Sequence, residues 1–131
     1  MSGNTNEVAE IISAFPNMEL CNVYGVEVPG VEGRAGMAAI QLHKTGDLDL
    51  AELSKYVHKE LPHHARPVFL RLQQQLDTTG TFKLVKGKLR EEAFHLDQVD
   101  DPVYVLKPKS QDYELLDSEF YAQLLAGTAG Y

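Results

Sequence analysis

The sequence predicts a small α+β domain in which a mixed or antiparallel sheet, part of it a hairpin, packs against about three helices. Apolar residues recur at helical spacing in three segments, and each segment has a capping residue at its start. Short apolar runs of strand length lie between these segments. With 131 residues, 44% of them apolar, the chain can bury one hydrophobic core. We therefore predict a single domain over residues 1–131.

The predicted helices take their boundaries from capping and helix-breaking residues. Asn4 and Asp49 each stand three residues before a glutamate, which is the capping-box pattern, and Asp117 provides a third N-cap. Proline follows the first two helices, and glycine closely follows the last. The predicted helices cover residues 5–15, 50–61 and 118–125, with a further short helix over residues 85–93.

The predicted strands are rich in β-branched, aromatic and other apolar residues and are bounded by turn-forming or polar residues. The first two form an antiparallel hairpin with a long loop that contains several glycines. The third leads into a loop rich in threonine and glycine. The predicted strands cover residues 20–28, 37–42, 68–72 and 103–106.

The charge and hydropathy of the chain argue against several classes of partner. The net charge is −7, so we predict no binding to nucleic acid and no contact with membranes. No apolar run approaches the roughly 18 residues that cross a bilayer, and the first residues lack the pattern of a secretory signal. The single cysteine, Cys21, is expected to be a buried small hydrophobe. Together these features predict a cytoplasmic protein.

Positive charge is concentrated in one stretch of this acidic chain. Four of the 12 basic residues, Lys83, Lys86, Lys88 and Arg90, fall close together. Such a cluster either presents positive charge to an anionic ligand or forms the solvated face of a helix. Charge alone does not decide between these two interpretations.

The sequence offers no pattern for a metal site or a nucleophilic enzyme. None of the five histidines has an Asp, Glu or Cys partner at a recognised metal spacing, so we predict no metal site. His63 and His64 follow the second predicted helix, where we expect them to cap its last carbonyls. Residues 80–83 do not fit the glycine and Lys-Ser/Thr spacing of a P-loop, and Cys21 has no evident activating base.

The stretch over residues 79–90 reads Thr-Gly-Thr-Phe-Lys-Leu-Val-Lys-Gly-Lys-Leu-Arg. It resembles the lysine motif of the adenylate-forming enzymes, in the form used by fatty acid transport proteins and very-long-chain acyl-CoA synthetases. Lys83 stands at the position of the catalytic lysine. The resemblance runs from about residue 4 to residue 125, and its other matching stretches are residues 6–10, 23–30, 33–39 and 65–71.

The resemblance implies that this chain is the small C-terminal lid domain of a fatty acid–CoA ligase, without the large N-terminal AMP-binding domain. In such ligases the large domain binds Mg-bound ATP and the fatty acid, and the small domain rotates over it between two half-reactions. The fatty acid carboxylate first attacks the α-phosphate of ATP and releases pyrophosphate. The CoA thiol then displaces AMP. The implied location is the cytoplasm, or the cytosolic face of a membrane if the large domain is anchored there.

The resemblance assigns Lys83 to the adenylation step. A cation between the carboxylate and the α-phosphate offsets the repulsion between two anions and stabilises charge in the transition state. Lysine suits a moving domain because its point charge sits on a long flexible stem. Thr79, Gly80 and Thr81 are expected on the ATP and adenylate side of the same loop.

The resemblance assigns a second group of residues to the CoA side. These are Gly3 and Asn4 near the start of the chain, and Gly33 and Arg34 in the hairpin. Turn geometry alone would also account for both glycines. The isolated chain is expected to be inactive because the acyl and ATP pockets belong to the large domain. The alternative is a free-standing module that binds CoA or a protein.

Overall fold

A computed structural model describes five strands in one sheet, three α-helices and a short 3₁₀ helix, which confirms the predicted α+β class. It describes residues 5–30, 33–43, 48–73, 91–97, 99, 101–108 and 110–130. The strands are β1 (Met18–Glu27), β2 (Arg34–Leu42), β3 (Phe69–Gln73), β4 (Val103–Val105) and β5 (Glu114–Leu115). The helices are α1 (Thr5–Ser13), α2 (Leu50–Glu60) and α3 (Ser118–Ala126), and the 3₁₀ helix is His63–Ala65.

The sheet is mixed, and its strands lie in sequence order from β1 to β5. β1 and β2 form the predicted antiparallel hairpin. β2 and β3 are parallel, with Met37 opposite Phe69, and the connection between them contains α2. β4 pairs antiparallel with both β3 and β5. β3 is therefore the central strand, and its two ends lie at opposite ends of the sheet.

The caps that predicted α2 and α3 are present. The Asp49 carboxylate accepts a hydrogen bond from the backbone N–H of Glu52 at 3.1 Å. The Asp117 carboxylate accepts one from Phe120 at 2.7 Å, and Gly127 ends α3 in the left-handed conformation. Both helices are confirmed, as is α1, whose predicted N-cap lies outside the described residues. The predicted helix over residues 85–93 also lies largely outside them.

The sheet buries a different set of residues on each face. One face, with Tyr24 and Phe69, packs against α3 and against Phe94, whose ring stacks on Phe69 with 4.6 Å between centroids. The other face, with Ile40 and Leu70, packs against α1 and α2. The alternation of side chains along each strand produces this division, because neighbouring residues point to opposite faces.

A close contact between two glycines joins the hairpin to the end of α3. Gly30 and Gly127 both have positive φ, at 80° and 75°. A Cβ added to Gly30 would lie 3.0 Å from the carbonyl oxygen of Gly127, so neither the backbone angle nor the available space suits a side chain there. The start of the hairpin loop is thereby held against the C-terminal end of α3.

Candidate functional site

The structure describes two of the eight residues that the sequence assigned to a site. Gly33 and Arg34 lie in and after the hairpin loop. Lys83 and the basic residues that follow it as far as Arg90 lie outside the described residues. So do the other site residues, which are Gly3, Asn4, Thr79, Gly80 and Thr81. The site can therefore be described from the residues on either side of the Lys83 segment, which we define as residues 74–90.

An ion-pair cluster around Arg71 lies next to the Lys83 segment. Arg71 stands near the end of β3, three residues before that segment begins. Its Nη1 donates to Oε1 of Glu92 at 2.9 Å, and its Nε donates to Oδ2 of Asp101, also at 2.9 Å. Glu92 comes two residues after the segment, whereas Asp101 precedes β4. The guanidinium on the N-terminal flank of the Lys83 segment therefore contacts the C-terminal flank and the chain just before β4.

The Arg71 cluster is largely withdrawn from water. The side chains of Arg71, Glu92 and Asp101 are 9%, 19% and 21% exposed. Burial by itself lowers the pKa of Arg71, but its hydrogen bonds to the two carboxylates outweigh that effect and raise the pKa above its ordinary value. The guanidinium is therefore charged at every physiological pH. Two short, charge-assisted hydrogen bonds fix its orientation.

Three buried side-chain oxygens lie on the face of the sheet that carries Arg71: those of Gln41 and Gln73 where β3 ends, and that of Tyr24 in the row of Phe69. Gln73 is on the face of β3 that carries Arg71, and it pairs with Gln41 on β2. Oε1 of each glutamine and Oη of Tyr24 are buried without a hydrogen-bond partner among the described residues. Burial raises the pKa of the Tyr24 hydroxyl, which keeps it neutral. Each such oxygen costs about 1–3 kcal/mol of stability.

Gly33 and Arg34 lie at the opposite end of the sheet from Gln73, the last described residue before the Lys83 segment. Gly33 has φ 77°, and a Cβ there would meet nothing within 4 Å, so the backbone angle rather than space favours glycine. Arg34 is exposed and its stem lies against Gly25, where a Cβ would come 3.1 Å from Arg34 Cδ. Two adjoining depressions of about 260 Å³ and 570 Å³ share Glu27, Arg34 and His95 in their walls.

We call the two ends of the sheet the Pro67 end, where β3 begins, and the Gln73 end, where it finishes. Arg34 belongs to the Pro67 end. β2 runs parallel to β3, and Arg34 precedes Met37, the first residue of β2 that pairs with β3. The Lys83 segment departs from the Gln73 end. The five residues of β3 separate the two ends by about 17 Å. Glu91, the first described residue after the Lys83 segment, lies with Arg34 in the wall of the smaller of these depressions, so the chain after the segment lies close to Arg34.

A further basic depression, of about 630 Å³, lies at the Pro67 end. His58, His63, Arg66 and Lys107 are in its wall. Lys107 is partly neutralised there, because its Nζ lies 3.1 Å from a carboxylate oxygen of Glu114. This collection of basic side chains from separate elements was not predicted, because they are spread over 50 positions of sequence.

The last carbonyls of α2 are capped by Arg66. Its Nε donates to the carbonyl of Leu61 and its Nη2 to that of His58, each at 3.0 Å. The sequence pointed instead to His63 and His64 for this role, and the structure shows His63 exposed. Arg66 competes well for these acceptors because its guanidinium presents several donors in a fixed plane. A basic residue shortly after the helix end was the available signal.

The described residues lack the features of several other kinds of site. Across the described ranges, no three His, Cys, Asp or Glu side chains are grouped to hold a metal ion. No helix within these ranges is long and apolar enough to cross a membrane. Burial raises the pKa of the Cys21 thiol to about 12, so the thiol stays protonated at neutral pH and is a poor nucleophile.

Comparison with known protein families gives one match that covers most of the fold. The profile of the AMP-binding enzyme C-terminal domain matches residues 7–83 of this chain. The match includes β1, β2, β3 and the residue Lys83 at its end.

The chain is also similar to several curated proteins. Long-chain fatty acid transport protein 3 of Homo sapiens is 48% identical over 123 residues, which are 94% of this chain and 18% of that protein. Long-chain fatty acid transport protein 6 of Mus musculus is 41% identical over 122 residues, which are 93% of this chain and 20% of that protein. The chain thus spans about a fifth of the length of these relatives.

Solved structures share the fold. Coronafacic acid ligase from Pectobacterium brasiliense superposes with a TM-score of 0.60 at 21% identity, over 78% of this chain and 19% of that one. The fold of this domain is therefore that of a C-terminal part of an adenylate-forming ligase.

Proposed function

Because the chain belongs to the family of AMP-binding enzyme C-terminal domains, we propose that it serves a fatty acid–CoA ligase as its small domain. The reaction converts ATP, a fatty acid and CoA into acyl-CoA, AMP and pyrophosphate. The similarity to long-chain fatty acid transport proteins supports the fatty acid as substrate class. Its partner in this proposal is a large N-terminal domain that binds Mg-bound ATP and the acyl chain.

Lys83 acts in the first half-reaction of this proposal. A fatty acid carboxylate oxygen forms a bond to the α-phosphorus of ATP, and the bond to the pyrophosphate oxygen breaks. The Lys83 ammonium lies between the two anionic groups and offsets the charge that develops on the phosphoryl oxygens. Thr79, Gly80 and Thr81 accompany it on the adenylate side.

The observation that carries this role is the Arg71 cluster. Residues just before and just after the Lys83 segment are joined by an ion pair of 2.9 Å that is mostly buried. A catalytic side chain needs supports whose own positions are locked by packing and hydrogen bonds. The cluster provides that support immediately beside the segment in the sequence.

The second half-reaction uses the Pro67 end. The CoA sulfur forms a bond to the acyl carbonyl carbon of the adenylate, and the bond to AMP breaks. Gly33 and Arg34, with Gly3 and Asn4, face the CoA side in this proposal. The basic depression around Arg66 supports it, because phosphate groups of CoA are anions. In this proposal the domain turns between the two steps.

The isolated chain lacks activity in this proposal, because the large domain holds the reacting atoms of both steps. The partly buried Cys21, the single cysteine of the chain, agrees with a reducing, cytoplasmic compartment for the reaction.

The test is Lys83→Ala in the ligase that carries this domain. Fatty-acid-dependent exchange of pyrophosphate into ATP should fall by about a hundredfold, which corresponds to roughly 3 kcal/mol of lost transition-state stabilisation. Thioester formation from supplied acyl-adenylate should change little. Lys86→Ala is the matched control, since it removes the same charge from the same stretch, and it should leave pyrophosphate exchange nearly intact.

Two outcomes contradict the proposal. One is an equal loss of both half-reactions in Lys83→Ala, and the other is an equal loss of pyrophosphate exchange in Lys86→Ala. Calorimetry of the isolated chain adds a separate check. Micromolar binding of CoA by the chain alone would favour a free-standing binding module instead.

A further inference from the structure

The ion pairs of Arg71 divide into two arms with different destinations. One arm runs from Nη1 to Glu92, the second residue after the Lys83 segment. The other runs from Nε to Asp101, which leads into the neighbouring strand β4. Both bonds measure 2.9 Å, and the two carboxylates are almost equally exposed, at 19% and 21%. The arms are therefore closely matched in chemistry and differ in what they connect.

We infer that Arg71 is a positioning residue for the adenylation half-reaction, acting through its Glu92 arm on the Lys83 segment. The inference rests on the proposed function of Lys83. Arg71 itself touches neither substrate nor the reacting atoms in this account. Arg71 lies on β3 just before the Lys83 segment, and Glu92 lies just after it. The ion pair between them fixes the distance between the two flanks of the segment.

The residues around Arg71 and Glu92 hold both partners of this ion pair in place. Arg71 is held on the central strand, whose backbone pairs with β2 on one side and β4 on the other. The Leu72 N–H donates to the Pro102 carbonyl at 3.0 Å, which extends the pairing with the β4 side to the end of the cluster. Phe94, two residues after Glu92, is fully buried against Phe69. Both attachment points of the Glu92 arm are thus rigid.

Charge explains why an ion pair is used at this place. Removing the charge of Glu92 leaves Arg71 paired with Asp101, so the guanidinium remains neutralised and the core remains closed. What is lost is the fixed distance between the two flanks of the Lys83 segment. A displacement of about 1 Å in a catalytic group is enough to lower a rate by as much as a hundredfold.

The experiment compares Glu92→Gln with Asp101→Asn in the full-length ligase that carries this domain. Each variant replaces one carboxylate on Arg71 by the amide of the same shape. Pyrophosphate exchange measures adenylation, and thioester formation from supplied acyl-adenylate measures the second step. Thermal unfolding of both variants records any common loss of stability.

The expected result is selective. Glu92→Gln should lower the kcat of adenylation by about tenfold or more, with thioester formation and the KM for ATP changed by less than about twofold. Asp101→Asn should lower adenylation less than Glu92→Gln does, at a similar loss of thermal stability. Arg71→Lys should behave like Glu92→Gln, because an ammonium cannot contact both carboxylates in the planar geometry of the guanidinium.

The inference is overturned if Asp101→Asn impairs adenylation as much as Glu92→Gln, or if Glu92→Gln lowers both half-reactions equally. Either outcome would show that the cluster supports only the fold. Lys83→Ala in the same assays separates this failure from failure of the proposed function. If Lys83→Ala is selective and Glu92→Gln is not, only the positioning role of Arg71 is lost. If Lys83→Ala is without effect, the proposed function fails first.

Discussion

Buried polar groups have different kinds of partner at the two ends of the sheet. At the Pro67 end, neutral groups are matched by neutral partners: the Tyr113 hydroxyl donates to the Pro67 carbonyl, and the Val68 N–H donates to the Gly36 carbonyl at 2.8 Å. At the Gln73 end, a charged guanidinium is buried between two carboxylates, and oxygens without described partners lie close by. Both ends belong to the same central strand.

The difference indicates which end carries the support for the Lys83 segment. Neutral, fully matched hydrogen bonds stabilise a fold at little desolvation cost. A buried ion pair is a weak contributor to net stability, and its best-supported use is to specify one arrangement of the chain. The Gln73 end has the chemistry of a support for a precisely placed group, whereas the buried hydrogen bonds at the Pro67 end are those of ordinary core closure.

Of the variants that compare the two ends, Arg71→Ala should cause the largest loss of stability. It leaves Glu92 and Asp101 without their cation, which for buried pairs costs about 3–5 kcal/mol. Because about a fifth of each carboxylate is exposed, we expect a loss near the lower limit, about 3 kcal/mol. Urea unfolding of the chain measures it.

The control for Arg71→Ala combines it with Glu92→Gln and Asp101→Asn. No unpaired charge remains in this triple variant, so it should regain about 1 kcal/mol or more relative to Arg71→Ala. If the triple variant is less stable than Arg71→Ala, the loss comes from packing of the arginine stem rather than from charge.

Tyr113→Phe tests the Pro67 end by a smaller change. It removes the hydroxyl that donates to the Pro67 carbonyl and leaves the buried ring in place. We expect the free energy of unfolding to fall by about 1–2 kcal/mol, since a buried acceptor loses its donor. Urea unfolding under the conditions used for Arg71→Ala gives the value, and no change would mean that this end is not secured by the bond.

Tyr24→Phe is the matched test beside the Arg71 cluster, whose Arg71 and Glu92 charges act on the Tyr24 hydroxyl, and it has the smallest expected effect and the opposite sign. It also removes a buried hydroxyl, but one that has no hydrogen-bond partner among the described residues. The variant should be unchanged or more stable by up to about 1 kcal/mol, because an unpaired polar group leaves the core. Destabilisation equal to that of Tyr113→Phe would erase the contrast between the two ends.

Most of the fold could be predicted because its signals are local. Asp49 and Asp117 cap helices through residues three positions away, and the hairpin strands carry apolar residues at recognisable places. β2 begins at Arg34, earlier than predicted, because antiparallel pairing with β1 extends past the glycine at residue 36. β5 was missed because it has two residues, Glu114 and Leu115, and both are exposed.

The candidate site was predictable only in part. The lysine motif is contiguous in sequence, so resemblance to a family predicts a role for Lys83 without any knowledge of the fold, and that role stays a prediction. The Arg71 cluster is not contiguous, because its partners lie 21 and 30 residues further along the chain. An arginine in an apolar strand was the only sign, and its side chain could equally have pointed to water from an edge strand. Because β3 is the central strand of the sheet, the Arg71 side chain is buried and not exposed to water.

The parallel pairing of β2 with β3 has a consequence for how the domain is made. β1 and β2 are neighbours in sequence, so their hairpin can close as soon as Leu42 has been synthesised. β3 has only distant partners, since the connection containing α2 separates it from β2 and the Lys83 segment separates it from β4. Distant contacts form slowly, and synthesis delivers the N-terminal part first. The Arg71 cluster is therefore completed late, only after Asp101 has left the ribosome, and no shorter nascent chain has both of its ion pairs.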